Sequence, residues 1–166
     1  MILFRNIFPA RKFTDARITA YYACPLGILK IGEDNGFVRL IQCVDSQDTP
    51  HQPTPLTDWA ARELTAYFAG EQIPFTFPAY AEGTAFQQTV WEALSTVPRG
   101  ETRSYGEIAL AIDKPAAARA VGMACNRNPL WIVIPCHRIV GKRGALTGYA
   151  GGLERKQFLL HLEKSI

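Results

Sequence analysis

The chain has 166 residues, 48% of them hydrophobic and 20% charged, a balance that excludes a disordered, fibrous or coiled-coil protein. That length accommodates one domain or two small ones. The formal charge of +3 conceals an asymmetry, because residues 1–83 carry 7 Lys and Arg against 9 Asp and Glu while residues 84–166 carry 11 against 6. An anionic partner for the second half alone would explain this, and so would a randomly solvated surface.

In chain order, MILFRNIFPARKF is broken by Arg5, Arg11 and Lys12 and lacks the apolar core of a signal peptide. No later segment approaches the run of about 18 apolar residues that a membrane span needs. A cytoplasmic protein with no membrane association is expected. The four cysteines, Cys24, Cys43, Cys125 and Cys136, show no CxxC pair and no zinc-finger spacing, so free thiols are expected.

Residues 26–44 read as a hairpin: LGILKI, the turn signal Asp34-Asn35-Gly36, then FVRLIQCV. DSQDTPHQPTP, 45–55, is a polar loop. A helix is predicted over 56–69, with Ala60, Leu64, Tyr67 and Phe68 on one stripe and Gly70 as its stop. This half reads as a small α/β unit. IPFTFPAYAEG, 73–83, holds two prolines and a glycine and is the expected connection between domains spanning 1–78 and 84–166.

Beyond it the pattern turns helical. Phe86, Val90 and Leu94 stripe a helix ending before Pro98, and Ser104 with Glu107 forms a capping box that opens a second. Pro115 suits the first turn of a third, AAARAVGMACN, which ends before Asn128-Pro129. Two helices so joined are a helix-turn-helix or an ordinary helical hairpin. WIVIP, 131–135, is a short buried run, GKRGALTGYAGG a glycine-rich loop, and LERKQFLLHLEKSI a last helix.

On the third helix Ala117, Val121 and Ala124 share a stripe, which turns Arg119 outward if the stripe faces the core. Neighbouring alanines and Gly122 allow close approach to a surface such as the DNA minor groove, only about 6 Å wide. A surface arginine without a task is the competing reading. In IPCHRIVG, a catalytic Cys136 needs a base or a positive environment, and His137 is the candidate base. Adjacent side chains diverge, so a bridging water and an orienting carboxylate would be required. Against this stands a small buried residue with an incidental histidine beside it.

PCHR at 135–138, together with SYGEIA, AARAVG, NRNPLWIVIPCHRIVG and GYAGGLERK, resembles the O6-alkylguanine-DNA alkyltransferases, or methylated-DNA-protein-cysteine methyltransferases. The match covers roughly residues 84–166, with weaker agreement in CPLGILKI. The resemblance implies a ribonuclease-H-like α/β N-terminal domain and a mainly α, winged-helix-like C-terminal domain with a helix-turn-helix. It implies direct reversal of DNA damage, a stoichiometric and irreversible transfer of an alkyl group from O6-alkylguanine, and from O4-alkylthymine, to Cys136. Cys136 would ionise readily through a solvent-linked neighbour and would sit at the floor of a cavity sized for an everted purine. His137 would act as base through a water, and Glu163 would orient it. Tyr105 would donate a proton to the leaving guanine, and Arg119 would fill the gap left by the flipped nucleotide.

Ala118, Gly122 and Arg127 join Tyr105 and Arg119 as implied DNA contacts. Asn128, Ile139, Tyr149, Ala150 and Lys156 are the implied pocket residues, Asn128 tying the helix-turn-helix to the active-site segment and Lys156 possessing either a solvent-facing or a structural role. The implied partner is double-stranded DNA, entered through the minor groove by a monomer, with cooperativity open. No cofactor is implied, and Cys24, Cys43 and His51 make no convincing version of the zinc site of some animal relatives. The thioether product resists water, and no second thiol is arranged as a resolver, so each molecule would act once. Ala150 stands where many relatives have serine, which predicts tolerance of larger alkyl groups; an Ala150→Ser variant with unchanged preference for benzyl over methyl would contradict it. Three rivals remain: an alkyltransferase-like binding module, which would lack Cys136; a cysteine hydrolase, which would turn over; and a helix-turn-helix regulator, which would survive Cys136→Ala.

Overall fold

The computed structural model describes residues 2–3 and 18–164. Most of the N-terminal stretch, with Arg5, Arg11 and Lys12, and the last two residues of the predicted final helix lie outside them. The chain divides into two compact units, Met1–Glu82 and Gly83–Ile166.

The first unit is built on the predicted hairpin. Strands β3 (Gly27–Asp34) and β4 (Phe37–Val44) pair antiparallel. Asn35 and Gly36 both take positive φ, 51° and 78°, as a tight turn matched to strand twist requires. β2 (Ile18–Cys24) pairs with the free edge of β3. The short strands β1 (Ile2–Leu3) and β5 (Ala79–Tyr80) complete a mixed sheet of order β1-β5-β4-β3-β2, with β5 parallel to both its neighbours. Helix α1 (Pro55–Phe68) packs on β2, β3 and β4 and buries Ala60, Leu64 and Tyr67 as predicted, whereas Phe68 is only half-buried. Thr54 and Thr57 cap its start reciprocally. Gly70, at φ 92°, stops it.

In this unit β1, β2 and β5 were not foreseen. β2 buries Thr19, Ala20 and Tyr21 in succession, so it lacks the alternation that marks a half-exposed strand. β5 lies inside the segment read as a connection: Phe77, Ala79, Tyr80 and Ala81 are buried, and the first unit runs through them to Glu82. Pro74 and Pro78 gave the stretch the look of a linker. His51 Nδ1 accepts the backbone N–H of Tyr21 at 3.0 Å.

In the second unit, α2 (Ala85–Ser95) buries Val90, Trp91 and Leu94, with Phe86 half-buried. Trp91 donates its indole N–H to Ala124 O at 3.0 Å, which ties α2 to the helix bearing Arg119. Helix α3 (Tyr105–Ala111) opens with the predicted capping box of Ser104 and Glu107. α4 (Ala118–Asn126) starts later than expected. Pro115 sits before it, in a turn closed by the bond from Ala117 N to Lys114 O at 2.8 Å, so the third helix loses its predicted first turn. The short strands β6 (Arg103–Ser104) and β7 (Ile139–Val140) pair in parallel, and α5 (Leu153–Lys164) follows. Among the described residues no helix is long and apolar enough to cross a membrane.

Candidate active site

The segment leading to Cys136 is buried as predicted and folds as a turn. Trp131 and Ile134 bridge, Ile134 N donates to Leu130 O at 2.9 Å, and Ile132 takes φ 73°. A β-branched residue in that region is a true outlier, a strain of about 1–3 kcal/mol held by the packing around it. Cys136–Arg138 then form one turn of 3-10 helix. At three residues per turn, successive side chains point about 120° apart, so Cys136 and His137 face different surroundings.

Cys136 is 4% exposed. Its Sγ accepts a hydrogen bond from Asn128 Nδ2 at 3.1 Å, and the same amide donates to Ile134 O at 2.9 Å. Asn128 Oδ1 accepts from Leu130 N at 2.9 Å, so this fully buried residue ties the end of α4 to the cysteine segment. Burial pushes the Cys136 thiol up to about 11, against the opposing pull of the Asn128 amide and the Lys156 ammonium. At rest the sulfur therefore keeps its proton, so a thiolate forms here only with the help of a base.

His137 is the adjacent residue. It is fully buried, and its Nε2 lies 2.9 Å from Glu163 Oε1. Burial would push the Glu163 carboxyl up, yet the hydrogen bonds of His137 and Arg138 and the charge of Arg138 hold it well below the usual range. An ionised carboxylate only accepts, so Nε2 carries the proton and Nδ1 presents its lone pair. Burial also lowers the imidazole below its ordinary value, despite Glu163 working the other way, which keeps it neutral at pH 7. Nδ1 is buried with no partner among the described residues, a position suited to a relay water.

Arg138 was not singled out from the sequence, although it is the last residue of PCHR. Its Nε and Nη2 grip Glu163 at 2.9 and 2.8 Å, and Nη1 donates to Val97 O at 2.6 Å. This planar fork fixes the carboxylate that orients His137. Lys156 is likewise more than a solvent-facing lysine. It is fully buried, donates to Ile139 O and, at 2.9 Å, to Thr147 O, and lies 5.8 Å from the Tyr105 ring centroid. Burial lowers its pKa. The carbonyl of Ile139, an implied pocket residue, is thus already engaged, with one lone pair left.

Tyr105 donates its hydroxyl to Thr147 O at 3.0 Å and to Gly148 O at 3.2 Å. Burial raises its pKa, so the phenol holds its proton. Beside it α3 and α4 frame a groove of about 870 Å³, whose wall includes Tyr105, Leu110, Ala118, Arg119, Gly122 and Met123. Arg119 is exposed there, as the stripe of small residues predicted. Cys136 and Asn128 are not among the residues lining this groove, and the sulfur expected at the floor of a cavity is buried. Arg127 stands exposed at the C-cap of α4, off the groove wall. Tyr149 packs on Trp131 with centroids 5.5 Å apart, and Ala150 is exposed. Among the described residues no group of three or more His, Cys, Asp or Glu is arranged to hold a metal.

Comparison with known proteins places this arrangement. Residues 85–165 match the family described as 6-O-methylguanine DNA methyltransferase, DNA binding domain. The methylated-DNA-protein-cysteine methyltransferase of Methanosarcina acetivorans is 47% identical over 152 residues, 88% of this chain and 97% of the relative. The crystal structure of the Mycobacterium tuberculosis O6-methylguanine methyltransferase superposes with a TM-score of 0.81 at 44% identity, covering 90% of this chain and 94% of that one. The OGT protein of the same organism, solved in complex with DNA, gives 0.80 at 46% identity, covering 89% and 92%. With the buried Cys136, His137 and Glu163 array and these likenesses in agreement, the chain belongs to the methylated-DNA-protein-cysteine methyltransferase family.

Proposed function

We propose that this protein repairs DNA by one irreversible transfer of an alkyl group from guanine O6, and from thymine O4, to Cys136. The observation that carries the reading is the ordered relay behind the sulfur, in which Arg138 holds Glu163, Glu163 holds His137, and Asn128 holds Sγ. His137 Nδ1 takes the thiol proton through a water, Sγ attacks the alkyl carbon, and the C–O6 bond breaks with its electron pair going to the base. Tyr105, released from the Thr147 and Gly148 carbonyls, delivers a proton to the leaving guanine.

An alkyl carbon inside the stack is out of reach, so the nucleotide must leave it, at a cost of a few kcal/mol. In this proposal α4 enters the minor groove with Ala118 and Gly122 against the backbone, and Arg119 occupies the gap. Arg127 adds a phosphate contact, while Tyr149, Ala150 and Ile139 border the flipped base. The protein acts as a cytoplasmic monomer without a cofactor, its N-terminal unit of ribonuclease-H-like type and its C-terminal unit winged-helix-like. Arg119→Ala should weaken transfer from duplex DNA by about tenfold or more while leaving transfer from free O6-benzylguanine unchanged; equal losses on both substrates would contradict the gap-filling role.

The pH dependence follows from the two shifts at the relay. His137 must be neutral and its pKa is depressed, so the single-turnover rate is flat above neutrality and is lost only as pH falls through a value below the ordinary imidazole range. A thiolate formed without the base would instead give a rate rising about tenfold per pH unit toward the thiol value of about 11. Rates measured from pH 5 to about 10 separate the two. Incubation with excess alkylated duplex tests the function itself: one equivalent of alkyl leaves the DNA per protein and the reaction stops, whereas continued turnover would favour a hydrolase.

A further inference from the structure

Tyr105 does not hold its two acceptors alone. Thr147 and Gly148 are exposed residues of the glycine-rich loop and line the groove, yet each of their carbonyls bonds to the same pair of donors. The Tyr105 hydroxyl reaches them at 3.0 and 3.2 Å, and the Lys156 ammonium at 2.9 and 3.4 Å. The ammonium also donates to the carbonyl of Ile139 in β7, just after the turn that carries Cys136. An ammonium has three protons and no lone pair, so three carbonyls use it fully, whereas a neutral amine would have one proton too few. Lys156 reaches them from the first turn of α5 with its side chain fully buried, and a buried charge is costly unless its protons are satisfied in this way. Each carbonyl oxygen has two lone pairs. Thr147 and Gly148 therefore accept both donors at once, and one donor can withdraw without leaving them empty.

We propose that Lys156 is a positioning residue for the proton donor: by holding the Thr147 and Gly148 carbonyls itself, it keeps the loop seated while the Tyr105 hydroxyl turns from them to the leaving guanine. The inference rests on reading Tyr105 as that donor. In the step concerned the O–H bond of Tyr105 breaks, and its proton passes to the guanine as the C–O6 bond gives its electron pair to the base. Without Lys156 a departing hydroxyl would leave both carbonyls short of a donor, a cost that falls on the delivery of the proton. The same ammonium ties the loop to Ile139, so the proton-donor side and the acceptor side of the site share one fixed point.

The test is a double-mutant cycle in the full chain. Lys156→Met keeps an apolar stem and removes the ammonium. It should slow single-turnover transfer from a saturating duplex bearing O6-methylguanine by about tenfold or more, within the coupling range of residues that share partners. Tyr105→Phe should slow transfer as well. The double variant should be no slower than the slower single one, because Lys156 has no hydroxyl left to release. Lys156→Gln, which keeps N–H donors without the charge, should show the same cycle with a smaller loss, and it serves as the variant where Lys156→Met fails to fold. A lysine that only braced the fold, or acted on the Cys136 sulfur through its charge, would give losses that multiply in the double variant. That result would overturn the proposal, as would transfer by Lys156→Met at the natural rate. Transfer by Tyr105→Phe at the natural rate is a separate outcome, which would remove Tyr105 as the donor and the positioning role with it.

Discussion

His137→Phe should transfer alkyl groups at least about a hundredfold more slowly than the natural protein, the range that removal of a positioned general base produces. The effect is expected to be larger than for an ordinary base because the thiol it serves is held up to about 11 by burial. Without His137 the reaction must draw on the small fraction of Cys136 that ionises unaided. The residual rate of the variant should therefore climb with pH, in contrast to the flat profile of the natural protein. DNA affinity should be unchanged, since His137 is fully buried and absent from the groove wall. Single-turnover rates beside a binding titration check both halves, and a variant within threefold of the natural rate would remove His137 from the mechanism.

Glu163→Ala should act on stability as well as rate. Removing one partner from a buried pair leaves the others uncompensated, a loss of about 3–5 kcal/mol, and here the orphaned groups are the Arg138 guanidinium and the His137 N–H. Glu163→Gln keeps the volume and one acceptor, so it should be milder in stability while still slowing transfer. Because the folded protein depresses the Glu163 pKa, the stabilisation is present above the unfolded carboxylate value and disappears as pH falls toward the folded value. Urea unfolding of the natural protein and of both variants at neutral and acid pH reads this directly. Equal stability of natural protein and Glu163→Ala at neutral pH would show that the pair contributes nothing.

What could be read from the sequence followed local rules. The Asn35-Gly36 turn, the Ser104 and Glu107 capping box and the inward stripe on α1 are encoded within a few residues of one another, and each stands where its pattern places it. The errors came from features set by distant neighbours. β5 is a strand because β1 and β4 flank it, not because of its own residues. Pro115 fits a helix start equally well in isolation, but the turn after α3 closes around it before α4 begins.

The site divides in the same way. Cys136, His137 and Glu163 were legible because a specific motif and a resemblance singled them out. Arg138 and Lys156 acquire their importance only through partners remote in the chain, Val97 and Glu163 for one, Ile139 and Thr147 for the other. The burial that raises the Cys136 thiol is also a property of the folded unit, and no pattern in IPCHRIVG declares it.

The most direct test of alkyl transfer to Cys136 is the mass of the intact protein, and of its Cys136 peptide, after incubation with a duplex bearing O6-methylguanine. A gain of one methyl group located on Cys136, and absent in Cys136→Ser, is the predicted result. A natural protein that restores guanine in the duplex while its own mass stays unchanged would contradict it.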